Sequence, residues 1–237
     1  MKKLTTFLAA GLILSSASAQ SITEGWDGGA NFGLTLTSGN SDTLLLNLGV
    51  NLAKDTDNTQ QLLGLSYTLG DTDGETVSDV LNGFYTWNKN ASDTTYYGFR
   101  LEGVRDDIAL IDYRLQATTL YGVHFIKNDV TNFSVEFGPG YTAESLDGED
   151  RDSAHIYLGQ RWSHKYSDST TFTQSLAAYA PFEEFEDFNF VFSLAVETKI
   201  NDDMSLRVAF IDTYTNTPAA GAEENDIQLI SGISYKF

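Results

Sequence analysis

No cysteine occurs in the 237 residues, so a disulfide framework, zinc-thiolate centres and a cysteine nucleophile are all excluded. Basic residues are scarce, with 14 Lys and Arg against 33 Asp and Glu for a formal net charge of -19. A surface of that sign repels phosphate backbones, and nucleic acid is not an expected partner. Neither a G-x-S-x-G nor an H-E-x-x-H motif is present. Long apolar runs are missing too. The one from Leu4 to Leu14 falls well short of the ~20 residues of a spanning helix. It follows Met1-Lys2-Lys3 and precedes Ala17-Ser18-Ala19, which predicts a secretory signal peptide over 1–19, cleaved after Ala19. From Gln20 to Phe237 no linker or shift of composition divides the chain, and one domain is expected over 20–237.

What the sequence does contain is alternation. Between Ile111 and Phe125 the residues Ile111, Tyr113, Leu115, Ala117, Thr119, Tyr121, Val123 and Phe125 share one face; Asp112, Arg114, Gln116, Thr118, Gly122 and His124 share the other. Only Leu120 breaks the pattern. After the turn Lys127-Asn128-Asp129, Phe133, Val135, Phe137, Pro139 and Tyr141 alternate with Ser134, Glu136, Gly138, Gly140 and Thr142. A period of two is that of an extended strand. These segments are about twice the ~5–6 residues of ordinary strands, and match the ~9–11 that a tilted strand needs to cross a bilayer core. The same test over the rest of the chain yields about twelve strands. In the fourth, near Val77 to Trp87, Val80 and Phe84 compete with Leu81, Tyr85 and Trp87 for the apolar face, and the latter set is assigned to it. The expected fold is all-β: a transmembrane, antiparallel, up-and-down β-barrel of about 12 strands, closed because unpaired backbone groups in lipid cost several kcal/mol each.

Connections at Asp55, Asn88 to Asp93, Lys127 to Asp129, Ser167 to Ser169 and Asn201 to Asp203 are short; those at Gly70 to Thr76, Ser145 to Asp152, Pro181 to Asp187 and Thr215 to Asn225 are longer. Short periplasmic turns and longer external loops are the pattern of bacterial outer-membrane barrels. Trp26, Trp87 and Trp162 all fall at the short-turn end, where an aromatic belt would meet the membrane interface.

The opening hairpin carries Thr37-Ser38-Gly39-Asn40-Ser41-Asp42-Thr43, a T-x-G-N-[ST]-D-T turn. In this it resembles the salt-induced outer-membrane protein family, the YdiY-like proteins. The resemblance implies an outer-membrane location and carries over no catalytic residue; the outward apolar faces are expected to meet lipid, and the loop acids the divalent layer of lipopolysaccharide. The ending Ile233, Tyr235, Phe237 is similar to the signal read by the barrel assembly machinery.

Three sets of residues are candidates for function. Arg100, Glu102, Asp112, Arg114, Glu136, Arg161, Glu197, Lys199 and Arg207 are expected to face inward, either lining a narrow aqueous pore or pairing to fill the lumen. Asp71, Asp73, Asp147, Glu149, Asp150, Glu183, Glu184 and Glu186 are expected to form an acidic external rim that gathers cations. Hard oxygen ligands at this density make divalent cations candidate partners, but the spacing matches no EF-hand loop. His155 beside Asp150 and Asp152 is the one set to weigh for rim hydrolysis, with no specific serine paired to it. No cofactor is expected. Binding of calcium should be no tighter than the millimolar range, and calorimetry measures it directly.

Overall fold

A computed structural model describes residues 25–37, 43–218 and 224–237. The expected signal peptide, the centre of the motif at 37–43 and Glu223 lie outside them. Twelve strands follow one another: β1 (Asp27–Thr37), β2 (Thr43–Asp55), β3 (Thr59–Thr72), β4 (Glu75–Asn90), β5 (Thr95–Asp106), β6 (Ile111–Lys127), β7 (Thr131–Leu146), β8 (Glu149–Lys165), β9 (Thr170–Pro181), β10 (Asn189–Lys199), β11 (Met204–Thr215) and β12 (Asn225–Lys236). Each pairs antiparallel with its sequence neighbour, and β1 pairs with β12 to close the barrel.

Burial is inverted relative to a water-soluble protein. The largest fully buried side chains are Tyr157, His155, Glu136 and Thr86, whereas Leu65, Leu115 and Leu229 are 57%, 57% and 65% exposed. The apolar face of each strand therefore points outward, to where lipid would lie, and the polar face packs inside. Strand β4 follows this rule with Leu81 exposed and Val80 buried. Leu120 points inward and packs against Tyr157 and Tyr179, which accounts for its break in the alternation.

The short turns share one local chemistry. Thr56, Ser92, Asn128, Ser167 and Asn201 each accept a hydrogen bond from the backbone N–H three residues on, at 2.8 to 3.1 Å. Such side chains mimic a backbone turn and reverse the chain in a few residues. The opposite end differs from expectation. Gly70 to Thr76 and Ser145 to Asp152 are not loops: the strands continue through them to two-residue turns at Asp73-Gly74 and Asp147-Gly148. Both residues of each turn have positive φ, from 52° to 88°, the geometry that matches strand twist and that Asp-Gly accepts readily. Strands β7 and β8 thus reach 16 and 17 residues against 11 for β1 and β10. One wall stands well above the other.

Register shifts also alter facing. One between Ile111 and Tyr113 leaves Ile111 buried, not outward with Tyr113 as the alternation suggests, and Asp112 exposed.

The closing seam is the thinnest contact in the wall, with five paired positions from Gly29↔Lys236 to Gly33↔Gly232. Backbone bonds between Gly28 and Phe237, at 3.1 and 3.0 Å, extend it. The Phe237 ring lies over Gly28, where a Cβ would collide with it. Gly28→Val should destabilise the barrel by about 1–3 kcal/mol through overpacking. Gly29→Ala, whose Cβ meets nothing closer than the Tyr235 carbonyl at 3.6 Å, should be tolerated. Urea unfolding in detergent micelles compares the two.

Candidate functional site

The lumen is filled on the tall side by a hydrogen-bonded ionic network. Glu136, 1% exposed, accepts from the Tyr96 hydroxyl at 2.8 Å, the Tyr157 hydroxyl at 2.9 Å and the Arg161 guanidinium at 2.9 Å. Three donors on one buried carboxylate satisfy the requirement that an interior charge be paired and bonded. One layer along, Arg100 donates to Glu102 at 2.7 Å, and Glu102 also accepts from the Tyr179 hydroxyl. The Arg100 guanidinium lies 4.9 Å from the centre of the Phe84 ring, within cation–π range. Tyr157 and Tyr179 pack with ring centroids 5.0 Å apart. Towards the external end Arg114 donates to Glu144 at 2.6 Å.

The expected inward charges therefore distribute unevenly. Arg100, Glu102, Glu136 and Arg161 join the network, and Arg114 pairs near the outer mouth. Glu197 and Arg207 meet across the low wall at 3.6 Å and stay more than a third exposed. Asp112 stands at the base of the β7–β8 hairpin tip, accepting from the Gly148 N–H at 3.0 Å. Lys199 ends β10 exposed at the short-turn end. Glu144 and the three tyrosine hydroxyls were not anticipated. Their inward parity was readable, but partner choice depends on which strands face each other across the lumen.

The rim acids separate into local sites. Asp71 accepts from the Gly74 N–H at 2.9 Å within its own turn, where Asp73 also sits. Asp147 occupies the β7–β8 turn, and Glu149 pairs with Arg151 at 3.2 Å. Asp150 accepts from Tyr113 at 3.1 Å on the outer surface. Glu183 and Glu184 line the outer mouth, and Glu186 lends its carbonyl to the Asn216 amide at 2.6 Å. Hydrogen bonding to Asp187, reinforced by its charge, pushes the Glu184 carboxyl above its ordinary range. Among the described residues no three Asp, Glu or His side chains are disposed to hold a metal ion. His155 is 1% exposed, and its ring nitrogens meet the hydroxyls of Thr118 at 3.1 Å and Thr142 at 2.9 Å. Asp150 and Asp152 instead bond Tyr113 and Tyr141 on the outer face, so the histidine and these acids do not converge.

Among the described residues, three of the cavities flank the network. One of about 290 Å³ lies at the outer mouth, where Arg114, Glu144, His155 and Tyr179 line it. One of about 730 Å³ lies at the short-turn end, bounded by Tyr96, Lys127, Arg161 and Arg207. The third, about 650 Å³, runs along β1–β4 and β10–β12 and shares Arg207 with the second.

A family model described as "Protein of unknown function, DUF481" matches residues 30–237. The chain belongs to this DUF481 family. No curated protein matches it significantly. Among solved structures, the NanC porin is similar with a TM-score of 0.55 at 8% identity, over 89% of this chain and 100% of that one. The translocator domain of the autotransporter NalP from Neisseria meningitidis gives 0.49 at 15% identity, over 90% and 87%. An outer membrane channel from Pseudomonas putida F1 gives 0.49 at 10%, over 90% and 95%. At these identities the likeness is one of fold: this DUF481 chain is a closed, twelve-stranded barrel of the outer-membrane type.

The network itself generates a prediction. Glu136→Ala takes the acceptor from Arg161 and from the buried Tyr96 and Tyr157 hydroxyls and should cost about 3–5 kcal/mol, whereas Glu136→Leu with Arg161→Met removes the charge but still strands both hydroxyls and should recover only part of that loss. Equal losses in the single and double variants, measured by urea unfolding, would show that the pair is not coupled.

Proposed function

We propose that this protein is a passive outer-membrane channel for small hydrophilic solutes, narrow and weakly cation-favouring. The observation that carries the reading is the eccentric lumen: the ionic network fills one side, while the 650 Å³ cavity lies beside it and shares the Arg207 side chain with the inner cavity. Carboxylates at the outer mouth, Glu183 and Glu184 with Asp187, concentrate cations there. Arg100, Glu102, Glu136 and Arg161 act as the fixed plug, and Glu197 and Arg207 as the lining of the open path. The proposal extends to export with cleavage near Ala19, insertion by the barrel assembly machinery through the strand ending in Phe237, and contact of the outer rim with lipopolysaccharide and its divalent cations. The resemblance to salt-induced proteins makes raised external salt the condition under which to look for expression.

Single-channel recording under a salt gradient tests the reading. A small conductance with a reversal potential of cationic sign is expected. Because Asp187 raises the neighbouring Glu184 carboxyl from its ordinary value, Glu184 should be the first of the mouth acids to lose its charge, and the preference should weaken as pH falls toward the carboxylate range and return on neutralisation. A barrel that inserts and passes no current is a closed structural barrel instead.

A further inference from the structure

The low wall of the lumen is paved in a pattern that the ionic network does not explain. On neighbouring strands, inward asparagines stand opposite glycines: Gly29↔Asn51, Asn31↔Gly49 and Gly33↔Asn47 between β1 and β2, then Asn51↔Gly64 between β2 and β3. The glycines are what let the amides lie flat. A Cβ at Gly49 would sit 2.6 Å from both amide atoms of Asn31, and one at Gly64 would meet the Asn51 oxygen at 2.9 Å and collide with the Phe84 ring. Asn51 donates to Asn31 at 3.4 Å, Asn31 to Asn47 at 3.3 Å and Asn47 to Thr68 at 2.8 Å. Each amide NH₂ carries two N–H donors and uses one of them in this chain.

We infer that this paved wall is a binding track for uncharged polyhydroxylated solutes of sugar size, an inference that rests on the channel reading and names its cargo. Three features favour that class. The remaining amide N–H and C=O groups pair with hydroxyls, which both donate and accept. The part of the Phe84 ring that lines the cavity, beside the surface held by Arg100, offers apolar contact to the C–H face of a sugar ring. The charged side chains lining the cavity, Asp27, Glu197, Arg207 and Lys236, comprise two acids and two bases, so an ion gains no net attraction along the track. Its 650 Å³ lies within the ~300–1,000 Å³ of small-molecule sites.

The purified full-length barrel in planar bilayers, titrated with a neutral disaccharide, tests this. The sugar should interrupt the ionic current in wild type, and glucuronate or glucosamine should do so no better. Asn31→Ala with Asn51→Ala, which widens the path, should still pass ionic current and weaken the block by roughly tenfold or more, the worth of about one hydrogen bond. Asn31→Gln with Asn51→Gln, which retains the amides, should restore part of it; heat-modifiable migration on gels reports folding of both pairs. Current without sugar block, or block indifferent to the alanine pair, overturns the sugar track and leaves the channel standing. A barrel that passes neither ions nor sugar overturns both.

Discussion

Every backbone N–H and C=O in a lipid-facing wall needs a partner within the protein, because the hydrocarbon supplies none. Closure follows from that constraint, and most of the architecture follows from closure. Twelve strands paired to both neighbours leave no edge, so side chains are free to sort by face alone. Apolar residues such as Leu65, Leu115 and Leu229 cover the outside, and the interior receives what lipid would reject. The seam between β1 and β12 carries the constraint with the least contact, which gives weight to the Phe237 ring lying over Gly28.

The interior then divides according to wall height and side-chain size. Where β4 and β6 to β8 are long and flank β5, large polar groups reach across the lumen and satisfy one another: Glu136 with Tyr96, Tyr157 and Arg161; Glu102 with Arg100 and Tyr179. Such a network is rigid because removing any member leaves a buried polar group unpaired. Where β1 to β3 carry asparagine and glycine, side chains lie along the wall and space remains. One barrel thus holds a packed half and an open half, and any path through it is set by the difference.

Much of the fold was legible because strand alternation is a local signal. Strand number, the outward set on β4 and the compact turns headed by Asn128, Ser167 and Asn201 can all be read from a few neighbouring residues. The two Asp-Gly turns were legible in principle, yet the acid-rich composition around them read as loop. The register shift at Ile111 was not legible, since an added residue changes facing without changing composition. Inward placement of Arg100, Glu136 and Arg161 followed from parity. Their partners, and the contrast between a filled and an open side, did not.

The sequence by itself determined that this chain alternates, exports its apolar surface outward and closes, because those properties depend on a period of two and on the cost of unpaired backbone. Only the tertiary structure decided which carboxylate meets which arginine, that His155 is held between two threonines and that Asn31 lies over Gly49. Those are contacts between strands brought together by register and curvature, quantities that no single strand encodes.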